Sequence, residues 1–162
     1  MTAGSFVDRG REAVYAAEEA ALAGTDLDVP CLLEELQARA AQLAAGDWWR
    51  STGAPNVTVM GARVGTRSSS AGGDADGMTV RLAGPQSTLL TLTHELAHAL
   101  AGPACGHDGS FRRAHLDVVA VMAGAGAASA LADSYAALAL AVSERRWAVP
   151  ARGHGPGFTM VP

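Results

Sequence analysis

The chain has 162 residues, of which 49% are hydrophobic and 17% are charged, and its formal net charge is −4. This composition excludes a chain that is disordered throughout, and two cysteines are too few for a disulfide scaffold. The length predicts a single domain, which we expect over residues 1–149, followed by a Gly- and Pro-rich tail over residues 150–162.

Charge and hydropathy also indicate whether the protein binds nucleic acids or membranes. All 12 basic residues are Arg, and they do not form the basic stripe that is typical of nucleic-acid-binding proteins. The N-terminus lacks the basic-then-apolar pattern of a signal peptide, and the most apolar stretch, residues 118–132, is too short to span a bilayer. We therefore expect a cytoplasmic protein without nucleic-acid or membrane partners, and its oligomeric state stays open.

Two helices are predicted in the first third of the chain. Apolar residues recur at three- and four-residue spacings over residues 8–22, and a second apolar stripe runs over residues 30–45. A glycine follows each segment and favours a helix end, and a proline suits the first turn of the second helix. Residues 47–50 are interpreted as leading into a short linker that ends at Pro55.

The pattern changes to that of β-strands in the middle of the chain. Residues 57–64 are rich in strand-forming side chains, and residues 78–82 alternate, with Met78, Val80 and Leu82 on one face. The Ser-, Gly- and Asp-rich segment 65–77 is predicted to be a mobile loop, and whether it closes over a cleft stays open. Because two strands alone are marginal, we expect a third strand whose position the sequence does not indicate.

Three further helices are predicted in the second half. The first of them opens at residues 84–87 and ends at Gly102. The next begins with Ser110 as its N-cap and continues to about Met122. The last covers roughly residues 127–144.

The helix that ends at Gly102 carries His94-Glu95-Leu96-Ala97-His98, an H-E-x-x-H motif. His94 and His98 lie about 40° apart around a helix, so two neutral imidazoles can bind one metal ion from the same face. Glu95 lies about 100° around the helix axis from His94, so it can reach a water molecule at the metal without being a ligand. The opposite face is apolar and would bury the helix in the core. The motif therefore indicates a hydrolytic metal site.

A catalytic zinc site needs a third protein ligand. His107 is favoured, because it follows a Gly-Pro…Gly loop that lets the chain turn back. Asp108 is the next candidate, either as a ligand or as an acceptor for the N–H of a ligating imidazole. His115 and Asp117, in the following predicted helix, also stay open as third ligands, although packing and solvation are their ordinary roles there. His154 is assigned to the tail. Imidazole ligands suit Zn²⁺ best, although they also accept other first-row ions.

These residues resemble those of the zincin metallopeptidases. SprT-like proteins carry H-E-x-x-H followed by H-G-x-x-F/W, and His107 and Phe111 have that spacing, with Asp108 in place of the usual Gly. The metzincin pattern would need an insertion before His107, and the gluzincin pattern would point to Asp117. The run over residues 14–18 adds a resemblance to small actinobacterial metallohydrolases, and this resemblance covers most of the chain.

The resemblance implies an α+β, zincin-like fold, in which a small twisted sheet packs against the H-E-x-x-H helix and several further helices. It implies that residues 78–83 form an edge strand along the cleft, to which an extended substrate adds by backbone hydrogen bonds. The expected substrate-binding residues are Val80, Leu82 and Tyr135. Three side chains are candidates for stabilising the oxyanion of the reaction: Tyr135, Arg112 and Tyr15.

The function that follows is zinc-dependent hydrolysis of amide bonds, by a metallopeptidase that acts on peptides or small amides. The expected metal ligands are His94, His98 and His107, and Glu95 is the expected general base for metal-activated water. Two alternatives stay open: a metal-dependent enzyme of small-molecule metabolism on the same scaffold, and a non-catalytic interaction domain that keeps a metal site. A purely structural site would not need Glu95, which favours an enzyme.

Overall fold

The structure, a computed structural model, describes residues 8, 10–74 and 76–151. Within these residues, six α-helices and a three-stranded sheet surround a shared hydrophobic core, so the predicted α+β class is confirmed. The predicted tail lies outside the described residues from position 152 onward. No helix in the described part of the chain combines the length and the apolarity that crossing a membrane requires.

The helices lie close to the predicted segments. In chain order they are α1 (Arg11–Leu22), α2 (Leu33–Ala45), α3 (Asp47–Ser51), α4 (Leu89–Ala101), α5 (Gly109–Ala123) and α6 (Ala125–Ala137). α2 begins later than predicted, because Pro30 forms an isolated β-bridge with Thr88. α3 is an additional helix over the residues that lead into the predicted linker, where Trp49 is buried and donates its indole N–H to the carbonyl of Pro55.

The sheet has the strand order β1-β3-β2, with β1 (Val57–Gly61), β2 (Ser70–Asp74) and β3 (Gly77–Leu82). β3 is parallel to β1 and antiparallel to β2. The prediction of a loop over residues 65–77 is therefore wrong for the residues of β2. β2 contains two glycines, which have weak strand propensity, so its pairing with β3 and the packing of Ala71 against the core hold it in place.

β3 is the central strand, so the prediction that it forms an edge along the cleft is wrong. Its backbone is paired on both sides, and Val80 and Leu82 are buried in the core. These two side chains are therefore not placed to contact a substrate. The predicted alternation is confirmed, since Met78 is buried as well and Arg81 is exposed. Among the described strands, β2 forms the edge that lies beside α4.

α6 ends at Ala137, before its predicted end, and the chain continues as an irregular segment, the C-terminal strap (residues 138–148). Ala139 has a φ of 54°, which a right-handed helix does not accept. The strap crosses the start of α5, where the Ser143 N–H donates to the carbonyl of Gly109 at 3.0 Å. A Cβ atom at Gly109 would lie 2.4 Å from Ser143 Oγ, so glycine is what allows this close approach.

Helix α4 lies at the centre of the molecule. It packs against α5 and against β2 and β3, and ten of its 13 residues are buried. Thr88 caps its N-terminus by accepting the Thr91 N–H at 3.2 Å, and Gly102, with a φ of 97°, ends it. A helix that is buried on most sides cannot rotate freely, so its side chains are held in fixed positions.

Candidate metal centre

Helix α4 and the turn after it bring three histidines together. His94 and His98 lie one helical turn apart, with ring centroids 5.1 Å from each other. After α4, the chain turns back towards the helix through a 3₁₀ turn over Pro103–Cys105 and through Gly106, which has a φ of 50°. The His107 ring therefore lies 4.7 Å from the His98 ring, measured between centroids. The ligand atoms of these three histidines all lie within 4.8 Å of one another. The structure thus brings the whole predicted ligand set together.

A carboxyl group holds the Nδ1 atom of two of these histidines. His94 Nδ1 lies 2.5 Å from Glu18 Oε1, and His107 Nδ1 is hydrogen-bonded to Asp8 Oδ2. An ionised carboxylate only accepts hydrogen bonds, so each Nδ1 then carries the proton and each Nε2 keeps a lone pair. The Nε2 atoms of His94 and His107 lie 3.0 Å apart. Two lone pairs at this distance repel each other, so either a proton on one Nε2 or a metal ion bound to both must lie between them.

Burial keeps the imidazoles neutral, which is the form that binds a metal ion. It lowers the pKa of His94 to about 4 and that of His98 to about 3, and it also lowers the pKa of His107. Burial raises the pKa of Glu18 to about 8 and that of Glu95 to about 7, so a nearby positive charge would favour the ionised form of both. A cation held by the histidines would supply that charge.

Glu95 and His94 form part of the wall of a cavity of about 320 Å³. The cavity lies between α1, the residues that lead into β2, and α4. Tyr15 from α1 also borders it, and its ring stacks on that of His94 with 5.2 Å between the centroids. The candidate base, one candidate ligand and Tyr15 therefore border one small cavity.

Asp108 caps helix α5 instead of binding the metal or a ligand imidazole. Its carboxylate accepts the N–H groups of Ser110 at 2.8 Å and Phe111 at 3.1 Å. The prediction that Ser110 is the N-cap is therefore wrong. Aspartate at this position satisfies two backbone donors at the start of the helix, which occupies one of its carboxylate oxygens.

Asp117 is buried, so the prediction that it is solvated is wrong. Arg145 in the C-terminal strap donates to both of its carboxylate oxygens, at 2.6 and 2.8 Å, and the indole N–H of Trp147 donates to one of them at 2.8 Å. These partners explain how a carboxylate is accommodated in the interior. Asp117 is not part of either metal-binding group in the described residues.

His115 and Tyr135 form a buried pair behind the three histidines of the candidate site. His115 Nδ1 lies 2.9 Å from Tyr135 Oη and 3.4 Å from Glu18 Oε1, and both rings are fully buried. Tyr135 is therefore not accessible to a substrate, contrary to the prediction. Glu18, His94 and His115 form a second group that could hold an ion, but only if the hydrogen bond between Glu18 and His94 is broken.

The other two candidates for oxyanion stabilisation have different surroundings. Arg112 already has hydrogen-bond partners in the protein. Its Nε donates to the carbonyl of Ala141 and one Nη donates to the carbonyl of His107, each at 2.7 Å. Arg112 thus ties the third histidine to the C-terminal strap. Tyr15 is 41% exposed and borders the cavity, so it is the candidate that the structure leaves accessible.

The H-E-x-x-H pattern does not indicate Asp8 or Glu18, which orient two of the histidines. A signal for Glu18 is present in the sequence, because it lies four residues from Val14 and from Leu22, on the buried stripe of α1. A charge on such a stripe needs a partner. Asp8 gives no comparable signal, since the histidine that it contacts lies 99 residues further along the chain.

Neither a protein-family model, nor a curated protein, nor a solved structure matches this chain. The assignment of a function therefore depends on the motif and on the arrangement of side chains around it.

Proposed function

We propose that the protein is a zinc-dependent hydrolase of amide bonds, with peptides as its main substrates. One observation carries the proposal: the Nε2 atoms of His94 and His107 lie 3.0 Å apart while a carboxyl group holds each Nδ1. Carboxylate–imidazole pairs of this kind orient ligand rings at zinc sites and raise their basicity. His98 adds a third imidazole, and a set of three leaves one of four tetrahedral positions for water or substrate.

The chain supplies the groups that a hydrolysis needs. Zn²⁺ held here would polarise a carbonyl group and lower the pKa of water. Glu95 forms part of the cavity wall next to His94, so its carboxylate can take a proton from the attacking water and pass it to the leaving amine. The Tyr15 hydroxyl is a donor for the carbonyl oxygen as negative charge develops there.

The edge strand β2 offers a place for an extended peptide. Its outer edge carries no partner among the described strands, and Gly72 and Gly73 place no side chains along it. Ser68 and Ser69, which lead into β2, line the same cavity as Glu95. A peptide that adds to β2 by backbone hydrogen bonds would therefore pass the metal centre.

Metal content and hydrolysis, measured on one set of variants, test this function. Protein purified without chelator or nickel resin is expected to contain about one zinc ion per chain. Glu95→Gln should keep the zinc and lose about 10²- to 10⁴-fold in peptide hydrolysis, because an amide cannot take up the proton. Glu19→Gln, which changes an exposed carboxylate of α1, is the matched control and should keep both properties. Full activity in Glu95→Gln, or no cleavage by zinc-loaded protein, would contradict the proposal.

The size of the cavity favours a second candidate, an amide hydrolase that acts on small molecules. A volume of about 320 Å³ lies near the lower end of the range of about 300–1,000 Å³ for small-molecule sites. Cleavage of small N-acyl compounds, with no cleavage anywhere in a peptide library, would favour this candidate over the peptidase.

A further inference from the structure

Arg11 is a cation in the cavity wall, and it forms no ion pair with a carboxylate of the described residues. It lines the cavity together with His94 and Glu95. No carboxylate of the described residues lies within 4.0 Å of its guanidinium group. The group that acts on it most strongly is Tyr15, whose ring centroid lies 5.5 Å from the guanidinium carbon, and the carboxylates of Asp8 and Glu95 act on it at longer range. Several of its five N–H donors are therefore available to a ligand in the cavity.

The position of Arg11 relative to the metal centre is set by α1. Arg11 and Tyr15 lie one turn apart on this helix, and the Tyr15 ring stacks on that of His94. Two successive contacts, of 5.5 Å and 5.2 Å, thus connect the guanidinium group to a candidate metal ligand. An extended chain advances about 3.3–3.6 Å per residue, so only a few residues separate the two positions.

We propose that Arg11 binds a carboxylate of the substrate, so that the substrates are short amides that carry a free carboxylate a few residues or fewer from the scissile bond. This inference rests on the proposed hydrolytic function. A guanidinium group matches a carboxylate with two parallel hydrogen bonds, which fixes the orientation of the bound molecule as well as its position. Arg11 would then select the substrate, whereas Glu95 carries out the proton transfer.

The remaining walls of the cavity are mostly neutral and include the carboxyl groups of Glu18 and Glu95. Ser68, Gln86 and Thr91 offer neutral polar groups for the amides of a short chain. Among the described lining residues there is no second cation, which a more highly charged phosphate group would favour. The protein itself carries a net charge of −4 and repels anions at long range. A preference for an anionic ligand must therefore come from the positive charge of Arg11 within the cavity.

Hydroxamates test the inference by binding, because they chelate a metal ion in an open site. One pair of probes is succinic acid monohydroxamate and its neutral amide, and a second pair joins the succinyl hydroxamate to Gly-Gly with a free or an amidated C-terminus. Dissociation constants are measured by calorimetry on zinc-loaded full-length protein, for wild type, Arg11→Gln, Arg11→Lys and the control Arg63→Gln. Arg63 is exposed and does not line the cavity.

We expect the free carboxylate to improve binding at least about 10-fold in wild type and in Arg63→Gln. Arg11→Gln should abolish this preference, and Arg11→Lys should keep part of it, because an ammonium group retains the charge without the planar fork. A preference confined to the short pair identifies small amide acids, and one confined to the longer pair identifies peptide C-termini; either supports the inference.

The inference and the proposed function fail in different ways. Equal affinity for charged and neutral probes in wild type, or a preference that survives in Arg11→Gln, would overturn the role of Arg11 and leave the hydrolase proposal intact. If zinc-loaded protein binds none of the four hydroxamates, the metal centre is not open to ligands. That result would overturn the proposed function and this inference together.

Discussion

Glu18→Gln tests how much the metal centre depends on the carboxyl groups behind it. Glutamine has nearly the same shape as glutamate, so the packing of α1 is preserved, but it is a weaker acceptor for the His94 Nδ1–H. The side chains of His94 and Glu18 are only 5% and 8% exposed, so water does not replace the lost charge. We therefore expect zinc affinity to fall while the fold persists.

The size of the effect follows from this contact. Removing the partner of a ligating histidine typically lowers metal affinity about 10- to 100-fold, and the burial of both groups places Glu18 near the upper value. A 100-fold loss corresponds to about 2.7 kcal/mol of the stabilisation that saturating zinc gives to the folded chain. For a chain of this length, the zinc-induced rise in Tm should shrink by roughly 5–10 °C.

In the metal-free protein the same substitution should act in the opposite direction. Burial raises the pKa of Glu18 to about 8, whereas an ordinary glutamate loses its proton near pH 4.5. Between these pH values the folded state binds a proton that the unfolded state has released, so the free energy of unfolding of the wild type falls as the pH rises. Glutamine does not titrate, and the metal-free variant should therefore gain stability relative to wild type from about pH 5 to about pH 8.

Two measurements check both effects. Competition with a chromophoric chelator gives the zinc Kd, and thermal unfolding with and without zinc gives the two values of Tm. Glu19→Gln is the control, because this neighbouring carboxylate is exposed and should change neither quantity. An unchanged zinc Kd in Glu18→Gln would refute the argument that the carboxylate prepares His94 for the metal.

Two further substitutions test the third ligand and its support. His107→Ala should reduce the zinc content of protein purified without chelator to well below one ion per chain, as measured by atomic spectrometry; full retention would remove His107 from the ligand set. Gly10→Ala would place a Cβ atom 2.7 Å from the backbone oxygen of His107, so we expect about 1–3 kcal/mol of destabilisation in denaturant unfolding, together with weaker zinc binding. Gly126→Ala is its control, since a Cβ atom there meets nothing within 4 Å; equal effects of the two substitutions would contradict the steric argument.

Local sequence patterns predicted the parts of the centre that depend on short stretches of chain. The spacing of His94 and His98 follows from one helical turn, and His107 follows from a glycine-bounded loop that reverses the chain. The amphipathic pattern likewise indicated α1, α2 and α4 within a few residues. Each of these features depends on residues that are close together in the sequence. Hydrophobic periodicity and capping patterns are also read over short stretches of sequence, so they can predict such features.

The features that escaped prediction depend on distant contacts. The sequence of β2 has weak strand propensity, and the strand forms because it pairs with β3. Glu18 and Asp8 act on histidines 76 and 99 residues further along the chain. The prediction of a solvated Asp117 is wrong because Arg145 and Trp147, in an irregular strap, cover it. Patterns within a short window do not report contacts over such separations.

The support of His107 from opposite parts of the chain has a consequence for the order of assembly. Asp8 holds its imidazole from the residues before α1, and Arg112 holds its carbonyl while also binding the strap at Ala141. During synthesis, His94, His98 and His107 emerge long before the strap does. A growing chain therefore has its three ligands and Asp8 before it has the strap residue that holds Arg112 against the carbonyl of His107. Metal affinity is expected to rise further once the strap has been synthesised and packed.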